Sequence, residues 1–130
     1  MNNILHTLAR DYTATVFRVM KEHPGTLLKD AMEIASRQPA PRFYIKSYER
    51  ATRYLAALLR GREPRISNPN IAAMYAELHR RYVRHQHLAK GRHVVDMDLL
   101  IEISEQPAPS FYRDATYLRT IFYEYQRHQL

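Results

Sequence analysis

Gln38-Pro39-Ala40-Pro41-Arg42-Phe43-Tyr44 returns 68 positions later as Gln106-Pro107-Ala108-Pro109-Ser110-Phe111-Tyr112, with six of seven residues identical. Two prolines in three residues hold a backbone near polyproline II and remove two donors. The alanine before the second proline is pushed out of the helical region. The Phe and Tyr that follow are large apolar anchors. Each string therefore reads as a stiff extended connector. Its place between helical segments favours packing against its own helices over display as a proline-rich ligand. Arg42 and Ser110 differ between the copies, so that position is expected to face solvent, and Phe43 and Phe111 are expected to be buried.

The surroundings repeat more loosely. Asp30, Met32 and Ser36 fall on Asp98, Leu100 and Ser104. Upstream, Tyr12 and Arg18 fall on Tyr75 and Arg81 at a shorter offset, which implies an insertion near residues 86–93. The period exceeds the ~20–50 residues of solenoid repeats. The expected organisation is one domain, 1–130, made of two repeats of about 1–63 and 68–130 with a connector at 61–70.

Helix signals flank each string. Ile4, Leu8, Tyr12, Val16, Val19 and Met20 recur at helical spacing. His23-Pro24-Gly25 stops that helix. Thr26 is a candidate cap for a second helix, with Leu27, Leu28, Ala31, Met32 and Ala35 on one face. Ser47 can cap a third, with Tyr48, Ala51, Leu55, Leu58 and Leu59 as its apolar stripe and Gly61 at its end. In the second copy, Asn68 can cap with Pro69 at the first helical position. Ile71, Met74, Tyr75, Leu78 and Tyr82 follow, and Gly91 is the expected stop. Asp96 or Asp98 starts the fifth helix, ahead of Leu99, Leu100 and Ile103, and Asp114 starts the sixth, ahead of Leu118, Ile121, Phe122 and Tyr125. No segment alternates as a strand would, apart from a brief extended stretch expected at Phe43–Ile45. The fold class is all-α: six helices in two halves, each helix–helix–PAPxFY–helix, related by a pseudo-two-fold.

The stretch from Gln38 to Tyr54 resembles a PAPRFY-type string found in small bacterial proteins without a known activity. The resemblance implies a bacterial origin and assigns no site.

Charge is uneven. The chain of 130 residues carries +7, but residues 50–92 hold ten basic groups and two acids, whereas residues 93–130 hold three basic and six acidic groups. On the third helix, Arg50, Arg53 and Arg60 fall opposite the apolar stripe at about 100° per residue. On the fourth, Arg80, Arg84 and His87 share a face, with Arg81 and His85 beside them. Arginine outnumbers lysine, and its planar fork suits phosphates and guanine edges. The expectation is a non-enzymatic nucleic-acid-binding protein, DNA favoured over RNA. Arg42, Arg50, Arg53, Arg60, Arg62, Arg65, Arg80 and Arg84 would make its contacts, with a helix-turn-helix-like first half. The connection Gln38–Lys46 is longer than the ~3–4 residues of a usual helix-turn-helix turn. The alternative is an adaptor or self-associating subunit that uses the acidic, tyrosine-rich C-terminal half.

Other chemistry is thinly represented. The chain has no cysteine, which excludes disulfides, a thiol nucleophile and Cys-ligated metal. His79, His85, His87 and His93 crowd one region without a carboxylate at ligand spacing. Asp96, Asp98, Glu102 and Glu105 read as helix-start and solvent-facing acids. No glycine-rich phosphate loop is present. No enzyme activity, cofactor or metal is expected. The longest apolar run, Leu55 to Leu59, is far short of the ~20 residues that span a bilayer. Met1-Asn2-Asn3 does not open a secretory signal, so the expected location is cytoplasmic.

Overall fold

A proline-alanine-proline triplet has one backbone donor, the alanine N–H, and a buried donor needs a partner. The two copies supply each other. Ala40 N–H donates to Ala108 O at 2.9 Å and Ala108 N–H to Ala40 O at 2.8 Å, an antiparallel bridge between two buried alanines. The aromatic pairs interleave beside it. Phe43 stacks on Tyr112 and Tyr44 on Phe111, each with ring centroids 6.0 Å apart and planes 13° from parallel. Phe43 and Phe111 are buried as expected.

The computed structural model describes residues 3–85 and 94–129. Among these residues it is all-helical: α1 (Asn3–Glu22), α2 (Leu28–Ala35), α3 (Tyr48–Leu59), α4 (Pro69–His85), α5 (Met97–Ser104) and α6 (Ala115–Gln129). The Ala40–Ala108 bridge is the extended pairing present; Phe43–Ile45 forms no strand. Contacts divide the chain into two units that do not follow chain order. One is Met1–Tyr44 with Pro107–Leu130, the other Ile45–Gln106. The third helix of each sequence copy thus belongs with the first two helices of the other copy.

In the first unit α1 packs on α2 and α6. Leu8, Tyr12, Val16 and Val19 of α1 meet a core that also holds Ala31, Met32, Ala35, Leu118, Ile121 and Phe122. Tyr12 sits edge-on to Phe111 and Phe122, and its hydroxyl donates to Met32 O at 2.8 Å. Burial pushes that phenol up to about 12, with the Glu33 charge adding to the shift. Tyr44 donates to Asp11 Oδ2 at 2.7 Å. Its phenol is raised by burial and then by that carboxylate. Arg113 ties the strings together, donating to Tyr112 O and Tyr44 O, each at 3.0 Å. Tyr112 has φ +55°, a left-handed conformation that costs a bulky residue about 1–3 kcal/mol. Ser110 Oγ accepts from its N–H at 2.8 Å and helps to hold it there.

In the second unit α3 packs on α4 and α5. Ala51 and Leu55 meet Met74, Tyr75, Leu78 and Tyr82 from α4 and Leu100 and Ile103 from α5 in its core. Tyr54 packs edge-on to Tyr75 at 5.0 Å. Tyr48 and the buried Ser104 share a hydrogen bond of 2.8 Å, and the Tyr82 hydroxyl accepts from Asp96 N–H at 2.8 Å. These tyrosines bury an apolar ring and still satisfy a polar tip.

Caps follow the sequence at three starts. Ser47 accepts from Arg50 N–H, Asn68 from Asn70 and Ile71 N–H, and Asp96 from Asp98 and Leu99 N–H. Gly25 and Gly61 take positive φ, +90° and +75°, just past α1 and α3. The expected stop at Gly91 lies outside the described residues.

Three expectations are corrected. Thr26 does not cap α2: its hydroxyl donates back to His23 O at 2.6 Å, and the helix starts after Leu27 without a side-chain cap. Leu27 therefore precedes the helix, and it is 68% exposed instead of lying on the apolar face. The variable position of the strings is also not their most exposed one. Arg42 and Ser110 are half-buried, whereas Pro39, Pro41, Pro107 and Pro109 face solvent. The alternation of an extended backbone turns the paired alanine inward and the flanking prolines outward.

Candidate nucleic-acid interface

Helix α3 is amphipathic by its own spacing. Ala51 and Leu55 are buried, Leu58 and Leu59 half-buried, and Arg50, Arg53 and Arg60 exposed on the other side. Gly61 turns the chain, Arg62 N–H donates to Ala57 O at 2.9 Å, and the connector carries Arg62 and Arg65, both exposed. Between Arg50 and Arg65 there are five arginines and one acid, Glu63. Among the described residues, the side chains of these five arginines make no ion pair.

Helix α4 differs. Glu77 receives Arg80 and Arg81 together, with Arg80 Nε at 2.9 Å and Arg81 Nε at 2.8 Å. Partial burial raises the Glu77 carboxyl, but the hydrogen bonds and charges of the two guanidiniums outweigh it and hold the group below its usual 4.5. Arg81 is half-buried and reaches on to Gln106 Oε1 at 3.3 Å. Arg80 is exposed but half-neutralised, and Arg84 is exposed in the last turn. His79, partly buried beside Arg80, is held below its usual 6.5 by desolvation first and then by that charge. His87, Lys90, Arg92 and His93 lie outside the described residues.

The unit thus brings Arg50, Arg53, Arg60, Arg62, Arg65, Arg80 and Arg84 into one compact body. Arg42 belongs to the other unit, and its Nε is engaged by Phe43 O at 3.1 Å. A helix-turn-helix head built from α1, α2 and α3 would place the basic helix last. Here α3 opens a unit that it shares with α4 and α5.

One feature was not legible in the sequence. A shallow groove of about 480 Å³ runs along α3, lined by Thr52, Arg53, Ala56, Arg60, Val94 and Val95. The valines lie more than thirty residues from α3 in the chain, and no local pattern marks them. Of the acids, Asp96 caps α5, while Asp98, Glu102 and Glu105 are exposed. Among the described residues no three His, Asp or Glu side chains gather in a way that could hold a metal ion, and no helix is long and apolar enough to cross a membrane. On α6, Tyr117 and Tyr123 are exposed, while Tyr125 is half-buried with its ring 5.5 Å from His6. The chain matches no protein-family model, no curated protein and no solved structure.

Proposed function

We propose that the chain is a non-enzymatic, cytoplasmic nucleic-acid-binding protein of bacterial origin that contacts phosphates through Arg50, Arg53, Arg60, Arg62 and Arg65, with Arg80 and Arg84 at the margin. The observation that carries this reading is a set of five exposed arginines that make no ion pair among the described residues: Arg50 and Arg53 on the outer face of α3, Arg60 at its C-cap, and Arg62 and Arg65 on the connector that follows, with the inner face of the helix anchored in a core. Exposed cations that outnumber the neighbouring acids, Glu49 and Glu63, raise the potential over that face and attract polyanions. The same reading takes the chain as a duplicated unit. The exchange of ring pairs between the two strings supports this, Phe43 with Tyr112 and Phe111 with Tyr44.

Fluorescence anisotropy with labelled oligonucleotides over a salt series tests it. Counterion release makes log affinity fall linearly with log salt. Absence of binding at about 50 mM salt, where this term is strong, overturns the reading. The exposed Tyr117 and Tyr123 support the adaptor alternative. It takes over if replacing the arginines leaves nucleic-acid affinity unchanged while Tyr117→Ala with Tyr123→Ala abolishes self-association in sedimentation.

A further inference from the structure

The groove along α3 carries a more specific assignment, which rests on the reading above. Arg53 lies on α3 and Arg60 at its C-cap seven residues later, so they fall near one edge and stand ~10.5 Å apart along the helix axis. Ala56 lies between them and Thr52 one residue before Arg53, both in the groove lining. Both are small, so a ligand's backbone can approach the helix closely. The Thr52 hydroxyl is turned inward, donating to Glu49 O at 2.7 Å. The opposite wall is Val94 and Val95, and Val94 is 82% exposed. The site therefore offers two cations in a row on one side and an apolar side chain on the other.

That combination selects among polyanions. A single small anion needs cations that converge, and these two are spread along the axis. Their spacing suits a ligand that repeats its charge. A helix entering the major groove of a duplex must stand clear of its neighbours on its outer side. Here Val94 and Val95 line the groove beside the basic edge. A single strand has no such requirement, and it alternates phosphates with base faces that pack on apolar or guanidinium surfaces. We propose that this groove seats one unpaired nucleic-acid strand, with two phosphates of that strand on Arg53 and Arg60 and a sugar or base face against Val94.

The test compares an oligothymidylate of about 20 nucleotides, longer than the ~4–16 covered by one small single-strand module, with a duplex of equal length. Anisotropy is read over a salt series with the full chain. The expected result is a strand bound at least about tenfold more tightly than the duplex, with a salt slope near 0.7 per contacted phosphate. Arg53→Gln with Arg60→Gln should remove that preference and lower the strand's slope by about 1.4. Arg62→Gln with Arg65→Gln should weaken both probes and keep their ratio. Val94→Ser, at an exposed position that the fold does not depend on, should weaken strand binding about threefold without changing the slope, because it removes no charge. A duplex bound as tightly as the strand, still dependent on the arginines, overturns the groove assignment and leaves the nucleic-acid reading standing. A preference that survives loss of Arg53 and Arg60 overturns it as well. Failure of both probes to bind overturns both.

Discussion

Helices α3 and α6 each follow one of two seven-residue strings that differ at a single position, yet they present different surfaces. Each buries a stripe, Ala51 and Leu55 in α3 and Leu118, Ile121 and Phe122 in α6. On the outside α3 carries Glu49, Arg50 and Arg53, with Arg60 at its C-cap, whereas α6 carries Tyr117, Arg119, Tyr123, Glu124 and Arg127. The difference teaches that the buried stripe is set by packing while the outer face is free to vary. The exposed arginine set continues from α3 through Arg60, Arg62 and Arg65, whereas the exposed tyrosines lie on α6. A function carried by charge is therefore expected from α3 and not from α6.

The largest effect should break the similarity of the two helices from inside. Leu55→Ala and Leu118→Ala each remove a side chain at most 1% exposed, and each should cost about 2–5 kcal/mol in chemical denaturation. A loss well below that range at one site would show that its stripe is not a packed core. Next, Tyr44→Phe removes a hydroxyl that donates to a carboxylate, and a bond to a charged group contributes about 1.5–3 kcal/mol. The same denaturation measurement checks it, and an unchanged midpoint would mean that Asp11 finds another donor.

Acid and alkali should act on different units. The Glu77 carboxyl is held below 4.5 in the folded chain and His79 below 6.5. Groups depressed in the folded state contribute stability above their unfolded values and lose it as pH falls. The midpoint should therefore decline below about pH 6.5, and further below about 4.5, with Glu77→Gln flattening the lower part. Tyr12 is raised from 10.0 to about 12. Its contribution is complete below pH 10 and lost as pH rises through about 12, so Tyr12→Phe should flatten the alkaline limb.

The smallest effect on stability belongs to the feature with the largest effect on function. Arg50→Gln, Arg53→Gln and Arg60→Gln together should leave the thermal midpoint almost unmoved, since surface substitutions usually fall within about ±0.5 kcal/mol each. The same protein should bind oligonucleotides more weakly and with a shallower salt dependence. Arg119→Gln with Arg127→Gln on α6 should change neither, which sharpens the contrast between the two helices. Unfolding of the triple variant would instead make those arginines structural.

Much of the fold was legible because its signals are local. Caps at Ser47, Asn68 and Asp96 act within one turn, glycines past α1 and α3 follow from the left-handed conformation, and a period of 3.6 marks each buried stripe. The exposed arginine face of α3 was legible for the same reason. Thr26 was misread because a threonine hydroxyl can bond backward to a carbonyl as well as forward to an N–H, and local sequence does not choose.

Local pattern accounts for the six helices among the described residues, for their stripes, and for two triplets each with one N–H to satisfy. Tertiary packing pairs the two alanines with one another, and it joins α6 to α1 and α2 and α3 to α4 and α5. It also decided that Glu77 neutralises part of α4 while α3 stays uncompensated, and that Val94 and Val95 wall a groove. The physical reason is common to all of these. Periodicity says that a helix has a face to bury and a triplet has a donor to pair, but the partner lies far along the chain. Partners are chosen by packing and closure of the whole, which no local pattern encodes.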